Sequence, residues 1–233
     1  GIDTDRFTPE GPIIEEWKKD GNGKRIIFAA ARFDERKRLD DFLRAFYILY
    51  YEYKMKNILG KIAGDGKMKK ELLALRRQLG LNDVVKFVGV LPDEDVPKAY
   101  RTADVFISPV EGREGFGLTL AEAMASGTPV VGSNVVGYNE VIGGDLPFAW
   151  MTNPRDPRDV AEKTKIVLEL SPEERVNRGK LASEYVKSRF SASKTADHQV
   201  SYFKRCLALR SSKVAERRPQ AKLQSSGTIY SEK

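Results

Sequence analysis

Between Glu114 and Glu122 the chain reads Glu-Gly-Phe-Gly-Leu-Thr-Leu-Ala-Glu, a glycine-rich turn running into a helix with a carboxylate at each end. The first N–H groups of a helix lack internal partners and face an anion well, and the helix dipole adds to that attraction. The main chain of Gly115, Phe116, Gly117 and Leu118 is therefore a candidate phosphate cradle. Carboxylates on either side can accept hydroxyl donors. A diphosphate flanked by two sugars has that layout, and a nucleotide-sugar is such a molecule.

Two cations stand on another candidate loop. Arg32 and Lys37 follow the first apolar run in Ala-Arg-Phe-Asp-Glu-Arg-Lys-Arg-Leu-Asp. Arg offers a bidentate fork to phosphate and Lys a compact charge. Alone, these residues read equally well as a solvated loop pairing with Asp34 and Glu35. Glu122 lies among Ala121, Ala123, Met124 and Ala125, so it reads as a carboxylate on a buried helix that needs a partner, and a ribose diol would serve. Glu114 just before the helix also suits the helix dipole without any ligand. The acidic triplet Asp93-Glu94-Asp95 follows Leu91-Pro92 and is read as helix capping rather than metal binding. Gly127 reads as a C-cap, and His198 as a surface or helix-face histidine.

These groups must be held by alternating elements. Strands are predicted at Lys24–Ala31, Ile58–Ala63, Val84–Val88, Val105–Val110, Pro129–Ser133 and Pro147–Met151. Helices are predicted at Leu39–Lys54, Met68–Leu79, Asp93–Thr102, Leu118–Ser126, Pro157–Glu169, Pro172–Arg189 and Ser193–Leu209. Near-continuous apolar strands alternating with helices imply an α/β domain, a single Rossmann-like, doubly wound parallel sheet of about six strands. Ligands of such sheets sit beyond the strand C-termini where the strand order reverses. The glycine turns fall there: Gly64-Asp65-Gly66, Gly89 and Gly112 to Gly117. Residues 1–23, punctuated by Pro9, Gly11, Pro12, Gly21 and Gly23, read as linker; 24–190 as the domain; 191–210 as a C-terminal helix; and 211–233 as a disordered basic tail.

Composition narrows the classes. One cysteine (Cys206) and one histidine (His198) leave no internal disulfide, no ordinary zinc site and little room for a Ser-His-Asp unit. No metal site is expected. No run of eighteen apolar residues exists, and Gly-Ile-Asp-Thr-Asp at the start does not read as a secretory signal, so a reducing, cytoplasmic setting is expected. The net charge is +7, but residues 203–233 hold eight Lys/Arg and two Glu, so the body is near neutral. That argues against nucleic acid as a partner. A solvated tail and attraction of the tail to an anionic membrane surface both stay open.

The residues as a set resemble the C-terminal, donor-binding domain of retaining GT-B glycosyltransferases of family four, the glycosyl transferases group 1. Glu114 and Glu122 match the Glu-x7-Glu motif, and the string from Glu114 to Val131 follows the family pattern throughout. Arg32 and Lys37 match its basic pair. Gly64-Asp65-Gly66 and Val88-Gly89 match two further motifs, and Gly1 to Phe7 looks like its interdomain linker. Departures are Ala31 and Tyr138 where glycine is common, Lys67 where proline is usual, and extra residues at Glu111-Gly112-Arg113 that make Glu111 a rival for Glu114.

The resemblance implies that Arg32 and Lys37 hold the donor diphosphate together with the N–H groups of residues 115–118. Glu122 would take the ribose, Glu114 the transferred sugar, and main chain near Gly64, Val88 and Val90 the base. Hexosyl transfer would proceed with retention and without metal or other cofactor. The acceptor domain would lie outside this chain, with the C-terminal helix packed on it, and the chain alone would be weakly active or inactive. A non-catalytic nucleotide-sugar-binding module, or a GT-B epimerase or phosphorylase, are the alternative readings.

Overall fold

The computed structural model describes residues 1–216 apart from Arg113, Gly143 and Asp145. In chain order it runs α1 (Glu15–Gly21), β1 (Arg25–Ala30), α2 (Leu39–Tyr47), β2 (Ile58–Ala63), α3 (Lys69–Gln78), β3 (Val85–Gly89), α4 (Val96–Thr102) and β4 (Val105–Ser108). It continues through α5 (Leu118–Ala125), β5 (Val130–Ser133), α6 (Val136–Ile142), β6 (Ala149–Thr152), α7 (Pro157–Glu169), α8 (Pro172–Phe190) and α9 (Ala192–Glu216). The strands form one parallel sheet in the order β3-β2-β1-β4-β5-β6. The direction of winding reverses between β1 and β4, so a crevice opens beyond their C-terminal ends.

Both faces of the sheet are covered, as the apolar strands require. In β1, Ile26 and Phe28 enter a core with Tyr100, Phe106, Leu120, Met124 and Val186, while Ile27 and Ala29 enter a second with Phe42, Leu43, Phe46 and Val160. Alternate residues of one strand thus serve two buried layers. The layer under α4 and α5 is aromatic at its centre: Phe28 lies 5.3 Å from Trp17, 5.7 Å from Tyr100 and 5.6 Å from Phe106, ring centroid to ring centroid.

The sequence reading and the structure differ in four places. Residues 1–23 are not a bare linker: they contain α1, and Ile2, Phe7 and Trp17 are buried. The predicted helix Leu39–Lys54 is α2 followed by a π-helical turn, Ile48–Glu52, where the rings of Tyr47, Tyr50 and Tyr51 pack together and Lys56 lies over Tyr50 and Tyr51. Residues 136–142, where no element is predicted, form α6. Helix α9 continues to Glu216, into the segment read as a disordered tail, and the remainder of that tail lies outside the described residues.

Truncating the central ring tests the aromatic layer. Phe28→Ala is expected to lower unfolding free energy by about 3–5 kcal/mol, measured by urea titration, since it empties a fully buried site in the middle of the sheet.

Candidate functional site

The loop after β1 is shaped by the loop after β2. Gly64 has φ +125°, and a Cβ there would sit 1.9 Å from the Ala31 carbonyl oxygen; at Gly66 it would sit 2.6 Å from that of Phe33. The chain needs glycine at both positions to bring these backbones together. The Phe33 N–H then donates to Asp65 O at 2.8 Å, and the Met68 N–H to Phe33 O at 3.0 Å. A short 3-10 turn follows, Glu35–Lys37, capped by Asp34 accepting from the Arg36 N–H and ended by Arg38 in the left-handed region at φ 45°. Arg38 is held there by a two-pronged bond to Asp41.

This turn carries Lys37 across the crevice. Its Nζ donates to Glu114 Oε1 at 2.7 Å, and the Glu111 N–H donates to Arg36 O at 2.9 Å. The β1–α2 and β4–α5 loops are therefore laced together over the switch point. Arg32 stays on the β1 side, with Nε and Nη2 each 3.0 Å from Asp34 Oδ2 and its side chain 71% exposed. Burial pushes the Asp34 carboxyl up, but Arg32 and Arg36 outweigh it and hold the group below its ordinary value. Glu111, the rival for the first carboxylate, pairs with Arg155 instead.

The glycine turn enters α5 through Gly117, at φ 86° and ψ 46°. The first N–H of this segment to bond back is that of Ala121, to Gly117 O at 3.1 Å. Among the described residues, the N–H groups of Leu118, Thr119 and Leu120 have no acceptor. Helix α6 supports the turn from beneath. A Cβ on Gly137 would lie 2.0 Å from Glu114 O, and one on Gly117 would lie 2.7 Å from the Tyr138 ring. The Tyr138 hydroxyl shares a 2.6 Å hydrogen bond with Ser108 Oγ at the end of β4. Burial raises that phenol far above its ordinary range, so it is a neutral strut.

Glu122 sits one turn into α5 and faces α4. The Tyr100 hydroxyl donates to its Oε2 at 3.0 Å, so a tyrosine, not only a ligand, answers the buried carboxylate. Burial raises Glu122 above 4.5, with the Tyr100 bond and the charge of Arg6 opposing it. Tyr100 is itself raised, by burial and then by Glu122.

Between β1, β2 and β3 a cleft of about 380 Å³ is lined by Ala30, Ala31, Arg32, Gly64, Val90 and Leu91, among others. Its size suits a small ligand. Val90 is 72% exposed at its lip, whereas Val88 turns inward against the core. The Gly64 N–H donates to Gly89 O at 2.7 Å and ties this edge to the loop that carries Arg32.

The structure thus gathers Lys37, Glu114 and Gly115–Leu118 around one crevice, with Arg32, Gly64 and Val90 around the adjoining cleft. Glu122 stands on the far flank of α5. The acidic triplet does not cap α4: the residues form a 3-10 turn in which Asp93 binds Arg6 and Asp95 binds Lys98. Gly127 does close α5, at φ 75° with its N–H on Met124 O. No cluster of three metal-ligating side chains occurs among the described residues. Sequence reasoning passed over Tyr100 and Arg6, and noted Tyr138 only as a departure from the pattern. The Val96–Tyr100 spacing marks a buried helix face, and Tyr138 was visible as a bulky residue where the pattern favours glycine.

A family model described as glycosyl transferases group 1 matches residues 13–185. The chain belongs to the glycosyl transferases group 1 family. It is 33% identical over 138 residues to an uncharacterized glycosyltransferase of Methanocaldococcus jannaschii, covering 59% of this chain and 34% of that one. It is 29% identical over 211 residues to a D-inositol 3-phosphate glycosyltransferase of Corynebacterium jeikeium, covering 86% of this chain and 49% of that one. The match spans half or less of the length of each of these curated relatives. The crystal structure of the C-terminal domain of a group 1 glycosyltransferase from Francisella tularensis superposes with a TM-score of 0.71 at 24% identity, covering 82% of this chain and all of that one. An Anabaena protein crystallised with UDP and glucose superposes at 0.76 and 19% identity, covering 88% and 55%. The fold is that of the C-terminal half of GT-B glycosyltransferases.

Gly117→Ala is the sharpest local test of the turn. It combines a left-handed φ with a clash on the buried Tyr138 ring. We expect a loss of about 1–3 kcal/mol in stability by chemical denaturation, with the turn displaced.

Proposed function

We propose that this family member binds a nucleoside-diphosphate sugar through the crevice between β1 and β4 and serves transfer of the hexosyl group with retention. The observation that carries the reading is the meeting of Lys37 with the Glu114 loop beside three N–H groups at the start of α5 that find no acceptor among the described residues. A diphosphate placed there receives Lys37 and those N–H groups. Arg32 turns to it from the Asp34 pairing. Glu114, at the mouth of the turn, meets the transferred sugar, and Glu122 the ribose. The base lies in the cleft beside Gly64 and Val90.

The chemistry follows from charge. Departure of the nucleoside diphosphate builds negative charge on the leaving oxygen. Fixed cations and oriented N–H groups stabilise that charge without reorganising, so the reading calls for no metal. The acceptor would be held by a second domain, in keeping with the length of the relatives. Helix α9 exposes Val200, Tyr202 and Phe203, an apolar surface suited to such packing. Among the described residues no helix is long and apolar enough to cross a membrane.

Calorimetric titration with UDP, GDP and ADP tests the reading: at least one should bind, and silence from all three would remove it. In the same assay Lys37→Ala should weaken the bound diphosphate about tenfold to a hundredfold, the range for a hydrogen bond to a charged group, while leaving the matching nucleoside unchanged. Equal loss for both would place Lys37 elsewhere than on the phosphates.

A further inference from the structure

The N-terminal segment reaches the donor site in a way that neither the family pattern nor the roles above explain. It is anchored where α8 meets α9: the Ile2 N–H donates to Phe190 O at 2.7 Å, and the Ala192 N–H donates to Ile2 O at 2.8 Å. Asp3 then turns the chain by accepting from the N–H groups of Asp5 and Arg6. From this turn Arg6 extends to the 3-10 turn before α4. Its Nη2 lies 2.6 Å from Asp93 O and 2.7 Å from Asp93 Oδ1. The next residue, Phe7, places its ring edge-on against Tyr100 at 6.0 Å, and Tyr100 donates to Glu122.

We infer that Arg6 is a positioning residue of the donor site, pinning the Asp93 turn and setting the Glu122 carboxylate that receives the nucleotide ribose. The inference rests on the ribose role proposed for Glu122. Arg6 does not touch the carboxylate; it acts through charge and through the turn it holds. The only donor to Glu122 among the described residues is Tyr100 on Oε2, which leaves the other oxygen for a hydroxyl. The ion pair is a poor device for stability alone, because the Asp93 side chain is 85% exposed and solvent screens it. The contacts from Phe7 through Tyr100 to Glu122 are what give the segment consequence, and the Arg6 charge favours ionisation of that half-buried carboxylate.

Three groups face Glu122 from the elements around it. Tyr100 from α4 and Arg6 from the N-terminal segment favour the ionised form; Asp93 from the intervening turn disfavours it; and burial, the largest influence, also disfavours it. Ribose hydroxyls donate best to the ionised carboxylate. Preference for a ribose over a sugar lacking its hydroxyls should therefore rise with pH as Glu122 ionises. Removing Arg6 moves that rise to higher pH, and neutralising Asp93 moves it to lower pH. A purely structural role for the pair would not shift it in opposite directions.

The test uses the full chain and whichever of UDP, GDP or ADP binds it most tightly, with the 2′,3′-dideoxy form of the same diphosphate. Binding is measured calorimetrically between about pH 4.5 and 8, a range bracketing a raised carboxyl. In the unaltered chain the ribose form should be preferred about tenfold or more at the upper end. Arg6→Gln should shift the midpoint of that preference upward, Asp93→Asn should shift it downward, and Arg6→Lys should restore it in part. Glu122→Gln should remove the pH dependence altogether. An unmoved midpoint in Arg6→Gln and Asp93→Asn, with Glu122→Gln flat, overturns the role of Arg6. A preference that persists unchanged in Glu122→Gln removes the ribose reading, and the inference with it. If Arg6→Gln does not fold, Arg6→Met, which keeps a stem over the Phe7 ring, takes its place, and an unmoved midpoint there overturns the role of Arg6.

Discussion

The ion pair between Lys37 and Glu114 spans the one place where this sheet can open. Parallel strands on either side of a winding reversal send their following loops apart, so nothing in the backbone ladder joins the β1–α2 loop to the β4–α5 loop. The pair and the Glu111-to-Arg36 backbone bond do so. Both partners are largely shielded, with 24% and 14% of their side chains exposed. Separating them without replacement would leave two poorly solvated charges. A ligand entering the crevice must give Lys37 a partner at least as negative as Glu114, and must give Glu114 hydrogen-bond donors. A diphosphate joined to a polyol supplies both at adjacent positions; a neutral sugar or a lone phosphate supplies one.

That pair depends on conformations few residues adopt. Arg38 must sit at positive φ to end the turn presenting Lys37, and Gly117 must do so to swing the chain into α5. The glycines at 64, 66 and 137 then let three backbone segments approach closer than any side chain allows. Tyr138 fills the volume under Gly117 and fixes it through Ser108. In the proposed function, rigidity beneath the turn would serve electrostatics, since N–H groups already in position would lose nothing to reorientation on meeting an anion.

Much of this was legible from the residues. The apolar runs place all six strands within a residue or two, because strands buried on both faces admit little else. The glycine turns marked the C-terminal edge of the sheet around the winding reversal, since their backbone demands are local. What escaped was set by distant contacts. The Glu122–Tyr100 bond joins residues 22 apart, and the Arg6–Asp93 bond residues 87 apart; neither has a spacing that a single sequence displays. Residues 1–23 read as linker because proline and glycine punctuate them, yet Phe7 and Trp17 are buried in the aromatic layer around Phe28 and Tyr100. The π-helical turn after α2 was also out of reach, since the apolar spacing from Leu39 to Leu49 is that of an ordinary helix.

The two cations of the β1–α2 loop are not equivalent. Lys37 is fixed: it is shielded, belongs to a capped turn and already faces the crevice. Arg32 is the looser of the two: its side chain is 71% exposed, against 24% for Lys37, although its partner Asp34 is largely shielded. Asp34 keeps the Arg36 N–H and the nearby Arg36 guanidinium when Arg32 leaves, although the Arg32 bond is the first influence that opposes its burial. Arg32 also lines the cleft assigned to the base as well as the hollow beside Asp34. In the proposed site a swing of Arg32 would carry its fork from Asp34 to a phosphate, while the Asp34 cap keeps the turn on which Lys37 depends.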